Sequence, residues 1–135
     1  MKETWNTIQV GMVALGGFVG WFLGGFDGSI YTLCAFVVVD YITGVLKAIV
    51  EHKLASHIGA EGITKKVMIF LLIGVAHLLD VEIIGNGNVL RDAVIFFYLS
   101  NEGISIIENT IQLGLPVPQK LKDILNQINE NKKDK

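Results

Sequence analysis

From Thr4 to Leu46 the chain reads TWNTIQVGMVALGGFVGWFLGGFDGSIYTLCAFVVVDYITGVL. No charged side chain interrupts it from Thr4 to Phe26, and Asp40 is the single one from Gly28 to Leu46. These two stretches, 23 and 19 residues long, are divided by Phe26-Asp27-Gly28. At 1.5 Å per residue, each is long enough as a helix to cross a hydrocarbon core of about 30 Å. The short connection predicts antiparallel neighbours, with spans at about 5–26 and 29–46. A soluble fold would have to bury both with about 90 remaining residues, so the pattern points to a small integral membrane protein.

Further along, residues 67–79 are uncharged and contain His77, and Val81, Ile83 and Ile84 extend that run to a third span at about 67–84. Asn86-Gly87-Asn88 marks a turn. A fourth span is predicted at about 92–113, ended by Pro116 and Pro118. Leu121, Ile124, Leu125 and Ile128 then recur at helical spacing, an amphipathic helix within a tail of residues 116–135. The expected fold is an all-α integral membrane protein of four transmembrane helices, arranged as two antiparallel hairpins, plus this C-terminal amphipathic helix. At 135 residues the chain is one membrane domain, with no room for a separate catalytic one.

The charges orient it. Lys47, Lys53, Lys65 and Lys66 fall in the segment 47–66, and Lys120, Lys122, Lys132, Lys133 and Lys135 fall in the tail. Asp80, Glu82 and Asp92 face only Arg91 between them. Because lysine and arginine are retained on the inner side, the loop 47–66, the tail and both termini are expected in the cytoplasm, in a multi-pass arrangement. The first apolar stretch is too long for a cleavable signal peptide and ends in Gly24-Gly25-Phe26 instead of a small-x-small site.

Four glycines, Gly16, Gly20, Gly24 and Gly28, recur every fourth residue and predict a groove where helix backbones approach closely. The groove serves either packing within the first hairpin or association between copies. Asp40 is the clearest intramembrane charge. An aspartate at a helix centre costs roughly 2.5–3.5 kcal/mol on the insertion scale, which the surrounding Val and Ile offset. Lys47, seven residues on, shares its face. In the last span Asn101, Ser105, Glu108 and Gln112 gather on one side of the helix, flanked by Glu102 and Asn109, with Phe96, Leu99, Ile104 and Ile107 opposite. Such a wet stripe suits a lumen, another polar stripe, or headgroups. His77 and Asp80, three apart, are placed to pair.

Cys34 is the lone cysteine, so no intramolecular disulfide or thiolate cluster is possible. His52 and His57 lack metal-ligand spacing, and no P-loop, nucleophile elbow or HExxH pattern occurs. No enzymatic activity, cofactor, metal or nucleic-acid partner is expected.

Several separated motifs carry a family resemblance: Asp40-Tyr41-Ile42-Thr43-Gly44 followed by Val45-Leu46-Lys47-Ala48; Gly62-Ile63-Thr64-Lys65-Lys66; Asn101-Glu102-Gly103-Ile104-Ser105-Ile106-Ile107-Glu108-Asn109; and Gly114-Leu115-Pro116-Val117-Pro118 leading to Leu121-Lys122. Over about residues 30–128 the chain resembles the phage-lysis and toxin-secretion holins of Gram-positive bacteria and their phages. The resemblance implies a protein of the bacterial cytoplasmic membrane that homo-oligomerises in the bilayer and permeabilises it, releasing an endolysin or a large toxin. Holins of several families have a second start, for which Met12 is the position here, although starting there leaves little of the first helix. The competing readings are a small four-helix transporter using Asp40 or Glu102 as its coupled carboxylate, and a non-conducting antiholin-type regulator.

Overall fold

The computed structural model describes residues 1–133, without the side chains of residues 125 and 128–133. The described residues are helical throughout: α1 (Lys2–Leu23), α2 (Gly28–Val50), α3 (Ser56–Leu78), α4 (Val89–Gln112) and α5 (Gln119–Lys133), with a π-helical continuation of α3 over Leu79–Ile84. Three of these, Lys2–Leu23, Gly28–Val50 and Ser56–Ile84, are long and apolar enough to cross a membrane. α4 has the length, but it carries Arg91, Asp92, Glu102 and Glu108.

Two local features depart from the sequence reading. The segment 47–66 is helical except around residues 51–55, because α2 runs on to Val50 and α3 begins at Ser56. Within α3, Gly59 and Gly62 let Tyr41 of α2 lie close: a Cβ on Gly59 would sit 3.3 Å from the Tyr41 hydroxyl, and one on Gly62 would sit 3.5 Å from its ring. α1 stops at Leu23 with Gly24 as a left-handed cap at φ 81°, and Gly25 follows at φ 105°. Only glycine adopts such angles readily. The expected turn is present: the π segment ends at Gly85 and α4 starts at Val89.

The helix pairing keeps one of the two expected hairpins: α3 and α4 pack together, but α1 and α2 do not. α2 packs chiefly along α4, and α3 packs on α4 and α2. α1 docks on α3 and does not run alongside α2, although its last residue, Leu23, joins the core that α2 shares. The two positive-φ glycines turn the chain away at the end of α1, so a short connection does not yield a hairpin here. Leu23, Ile30, Leu33, Val37, Ile69, Ile73 and Ile95 form the core, with Phe22 and Cys34 packed against it. The rest of the apolar surface faces outward; Trp5, Val10, Val13, Phe18 and Trp21 are all exposed on α1. In lipid this surface needs no burial, and close packing together with polar bonds between helices decides which helices associate.

The α1–α3 seat is one such fit. A Cβ on Gly74 would stand inside the Phe22 ring. Gly74→Ala is therefore expected to lower the melting temperature in detergent, with a loss of about 1–3 kcal/mol from overpacking. Gly16→Ala, where a Cβ meets nothing within 4 Å, should be neutral. Equal effects from both variants would show that the Phe22 seat does not hold α1.

Candidate functional site

Two buried polar clusters link the helices. The first joins the three bundle helices, each contributing one charge. Lys66 of α3 donates through Nζ to Asp40 Oδ2 of α2 and to Glu102 Oε2 of α4. The Asp40 and Glu102 side chains are 8% and 9% exposed and that of Lys66 is 19% exposed. Asn109 of α4 extends the network, its Nδ2 donating to Asp40 Oδ1 at 3.3 Å and to Thr43 Oγ1 at 3.1 Å. The Thr43 hydroxyl donates to the Asp40 carbonyl at 3.0 Å. Removing three charges from water costs several kcal/mol per ion, and only close pairing with the remaining lone pairs satisfied offsets it. Concavities of about 270 Å³, lined by Asp40, Tyr41, Ser105 and Asn109, and about 480 Å³, lined by Thr64, Tyr98, Asn101 and Glu102, open on either side of Lys66.

The second cluster is built around Arg91, the chain's one arginine, which is 1% exposed. Its Nε donates to the Leu23 carbonyl at 2.6 Å, and its two terminal nitrogens donate to Asp27 Oδ2 at 2.8 Å and to the Gly25 carbonyl at 3.2 Å. Carbonyls at a helix C-terminus lack intrahelical donors and carry the negative end of the dipole, so a guanidinium fork suits them. Asp27 also caps α2, accepting from the Ile30 N–H at 3.0 Å, and takes a hydrogen bond from the Ser29 hydroxyl at 2.7 Å. Arg91 holds the Asp27 carboxyl well below the usual carboxylate range, assisted by those two donors. Asp80, wholly buried, accepts from the backbone N–H groups of Leu90 and Arg91 at 3.0 and 2.9 Å, and so caps α4.

The positions singled out from sequence fall out as follows. Asp40 and Glu102 meet at the centre of the bundle; the cation between them is Lys66, and half-buried Lys47 is not their partner. On α4 the inward set is Glu102, Ser105 and Asn109, while Glu108 and Gln112 are exposed and Asn101 is half-buried. The four glycines do not form one groove. Gly16 is open, Gly20 lies under the Phe26 ring, Gly24 caps α1 against His77 and Arg91, and Gly28 already belongs to α2. His77 does not pair with Asp80, whose oxygens are taken by the α4 backbone. In the tail, Leu121 and Ile124 are exposed, and Leu125 and Ile128 lie outside the described side chains. Sequence reasoning missed Lys66 and Arg91 as site residues. The available signal was that two carboxylates inside apolar runs, and an acidic segment holding one arginine, each require a cation.

The sequence profile of the Bacteriophage holin family matches residues 17–130. An uncharacterised 14.9 kDa protein of Clostridium perfringens, from the nagH 3′ region, is 43% identical over 98% of this chain and 100% of its own length. An uncharacterised Listeria innocua protein is 42% identical over 87% of this chain and 84% of its own. A protein of Bacillus phage phi105 named as a probable holin is 38% identical over 73% of this chain and 72% of its own. No solved structure matches.

Proposed function

The chain belongs to the bacteriophage holin family, and from that premise we propose that it accumulates in the bacterial cytoplasmic membrane, associates with copies of itself and permeabilises the bilayer for a passenger such as an endolysin or a secreted toxin. The observation that carries this reading is the disposition of charge. The charges of Asp40, Lys66, Glu102 and Arg91 are turned inward and paired across helices, while large apolar side chains cover much of the outward surface and α1 is exposed over most of its length. A chain of this kind can collect in lipid as separate, non-leaking units and still offer a long free helix for association. The same pairing supports α4 as a fourth span, since Glu102 meets lipid only through its partner. Both carboxylates share Lys66, which leaves neither free for the exchange that a proton-coupled transporter requires. Induced expression should arrest growth with loss of membrane potential. Normal growth and potential at confirmed membrane accumulation would favour the regulator, and proton-coupled drug efflux the transporter.

In this reading the Arg91 cluster lies at the outer surface, and the loop at 51–55 and the tail lie inside. Cysteines at Ser56 and Lys120, each in a Cys34→Ala background, are expected to resist a membrane-impermeant thiol reagent applied to protoplasts. One at Asn88 should react. Labelling at Ser56 together with protection at Asn88 would overturn the orientation.

A further inference from the structure

Among the described residues, His77 Nδ1 is a buried side-chain atom with no hydrogen-bond partner. It faces the cap of α1. A Cβ built on Gly24 would stand 2.6 Å from His77 Nδ1 and 2.8 Å from Arg91 Nε, so imidazole and guanidinium flank the same α-carbon. Buried nitrogens are nearly always satisfied, and one left bare beside a cation calls for a reason. Apart from exposed Glu82, the charged side chains at this end are already engaged. Arg91 and Asp92 come from α4, Asp27 from the connection before α2, and Asp80 from the π segment, which also carries exposed Glu82. Asp27 is bound to Arg91, and both oxygens of Asp80 accept backbone N–H groups. α2 brings Tyr31, exposed and stacked on Phe26, and half-buried Cys34 to this end; the ionisable side chains of α1, Lys2 and Glu3, lie at its far end.

We propose that His77 is a proton-operated release for α1, which stays docked while the imidazole is neutral and swings off α3 when it is charged. A neutral ring presents an uncharged surface to Gly24 and tolerates Arg91 beside it. A proton makes both ring nitrogens donors and adds a second cation at the site, with no acceptor at Nδ1 and no uncommitted carboxylate beside it. The repulsion falls on the most weakly held element. α1 packs along α3 at the Phe22 seat and is otherwise tied only at its C-terminal end, where Leu23 joins the core and Arg91 of α4 holds the Leu23 and Gly25 carbonyls; the glycine pair at Gly24 and Gly25 allows it to pivot. Asp27 cannot give the same response. With its carboxyl held well below the usual range, its pairing is present throughout mild acid and lost only when the pH falls through that depressed value. This inference concerns α1 docking and does not depend on the holin reading.

The test uses the full chain in lipid nanodiscs in a Cys34→Ala background, with nitroxides at Thr7→Cys and His57→Cys, both exposed at the N-terminal ends of α1 and α3. Inter-label distances are measured at about pH 7.5 and about pH 5.5, spanning the range in which imidazole gains its proton. The parent should give a narrow distribution at the higher pH and a longer, broader one at the lower. His77→Gln should stay narrow at both, and His77→Lys should be broad at both. An unchanged parent distribution, or a pH response that survives His77→Gln, overturns the proposal. Should His77→Lys fail to insert, the parent and His77→Gln arms still decide it.

Discussion

Lys66→Met is expected to lower the stability of the α2–α3–α4 bundle by about 3–5 kcal/mol, because removing one partner strands the others as buried charges. Here two carboxylates, Asp40 and Glu102, lose their shared cation at once, so the effect should lie at the upper end of that range. The measurements are thermal unfolding in detergent and the amount of chain retained in membranes. A rescue series separates charge from shape. Lys66→Met combined with Asp40→Asn and Glu102→Gln removes every formal charge while keeping side-chain volume, and most of the lost stability should return. If Lys66→Met alone melts like the parent, the triad does not hold the bundle together. If the triple variant is no better than the single, packing around Lys66 matters more than its charge.

Arg91→Leu is expected to have an effect of similar size with a different signature. It leaves the Leu23 and Gly25 carbonyls without the guanidinium and removes one of three donors from the Asp27 carboxylate, which keeps Ser29 and Ile30. The Asp27 side chain is half-exposed, so the cost comes chiefly from the two stranded carbonyls, about 1–3 kcal/mol for each buried acceptor left unsatisfied, and the loss should appear first as undocking of α1, because these three bonds tie α1 and its connection to α4. Arg91→Lys should restore only part, since an ammonium does not reproduce the planar fork that reaches three acceptors. Limited proteolysis after reconstitution and the α1–α3 label distance report the result. An Arg91→Leu protein with α1 still docked would remove this cluster from the account. Asp27 should stay ionised in mild acid, so the contribution of Arg91 should not fade between neutral pH and pH values just above the usual carboxylate range.

Much of the architecture was legible in the chain. Two apolar stretches within 46 residues announce membrane helices, Asn86-Gly87-Asn88 announces the turn before α4, and Asp40 and Glu102 stand out because a charge inside an apolar run is costly. What local pattern hides is pairing. A four-residue glycine repeat looks like a groove, yet Gly24 is spent on a left-handed cap and Gly28 on the next helix. A short connection suggests a hairpin, but two positive-φ glycines aim α2 away from α1. Lys66 sits 26 residues from Asp40 and 36 from Glu102, and no periodicity links positions on three different helices. Gly59 and Gly62 are readable as packing glycines only once Tyr41 is known to lie against them.

The proposed function requires openings large enough for folded protein. Vesicles of bacterial phospholipid, loaded together with a small dye and a folded endolysin, test it directly when the purified full-length chain is reconstituted at rising density. Above a threshold density, dye and enzyme should escape together, and Lys66→Met should abolish both. Dye leakage with the enzyme retained at every density, or no leakage at all from confirmed bilayer-inserted protein, would contradict it.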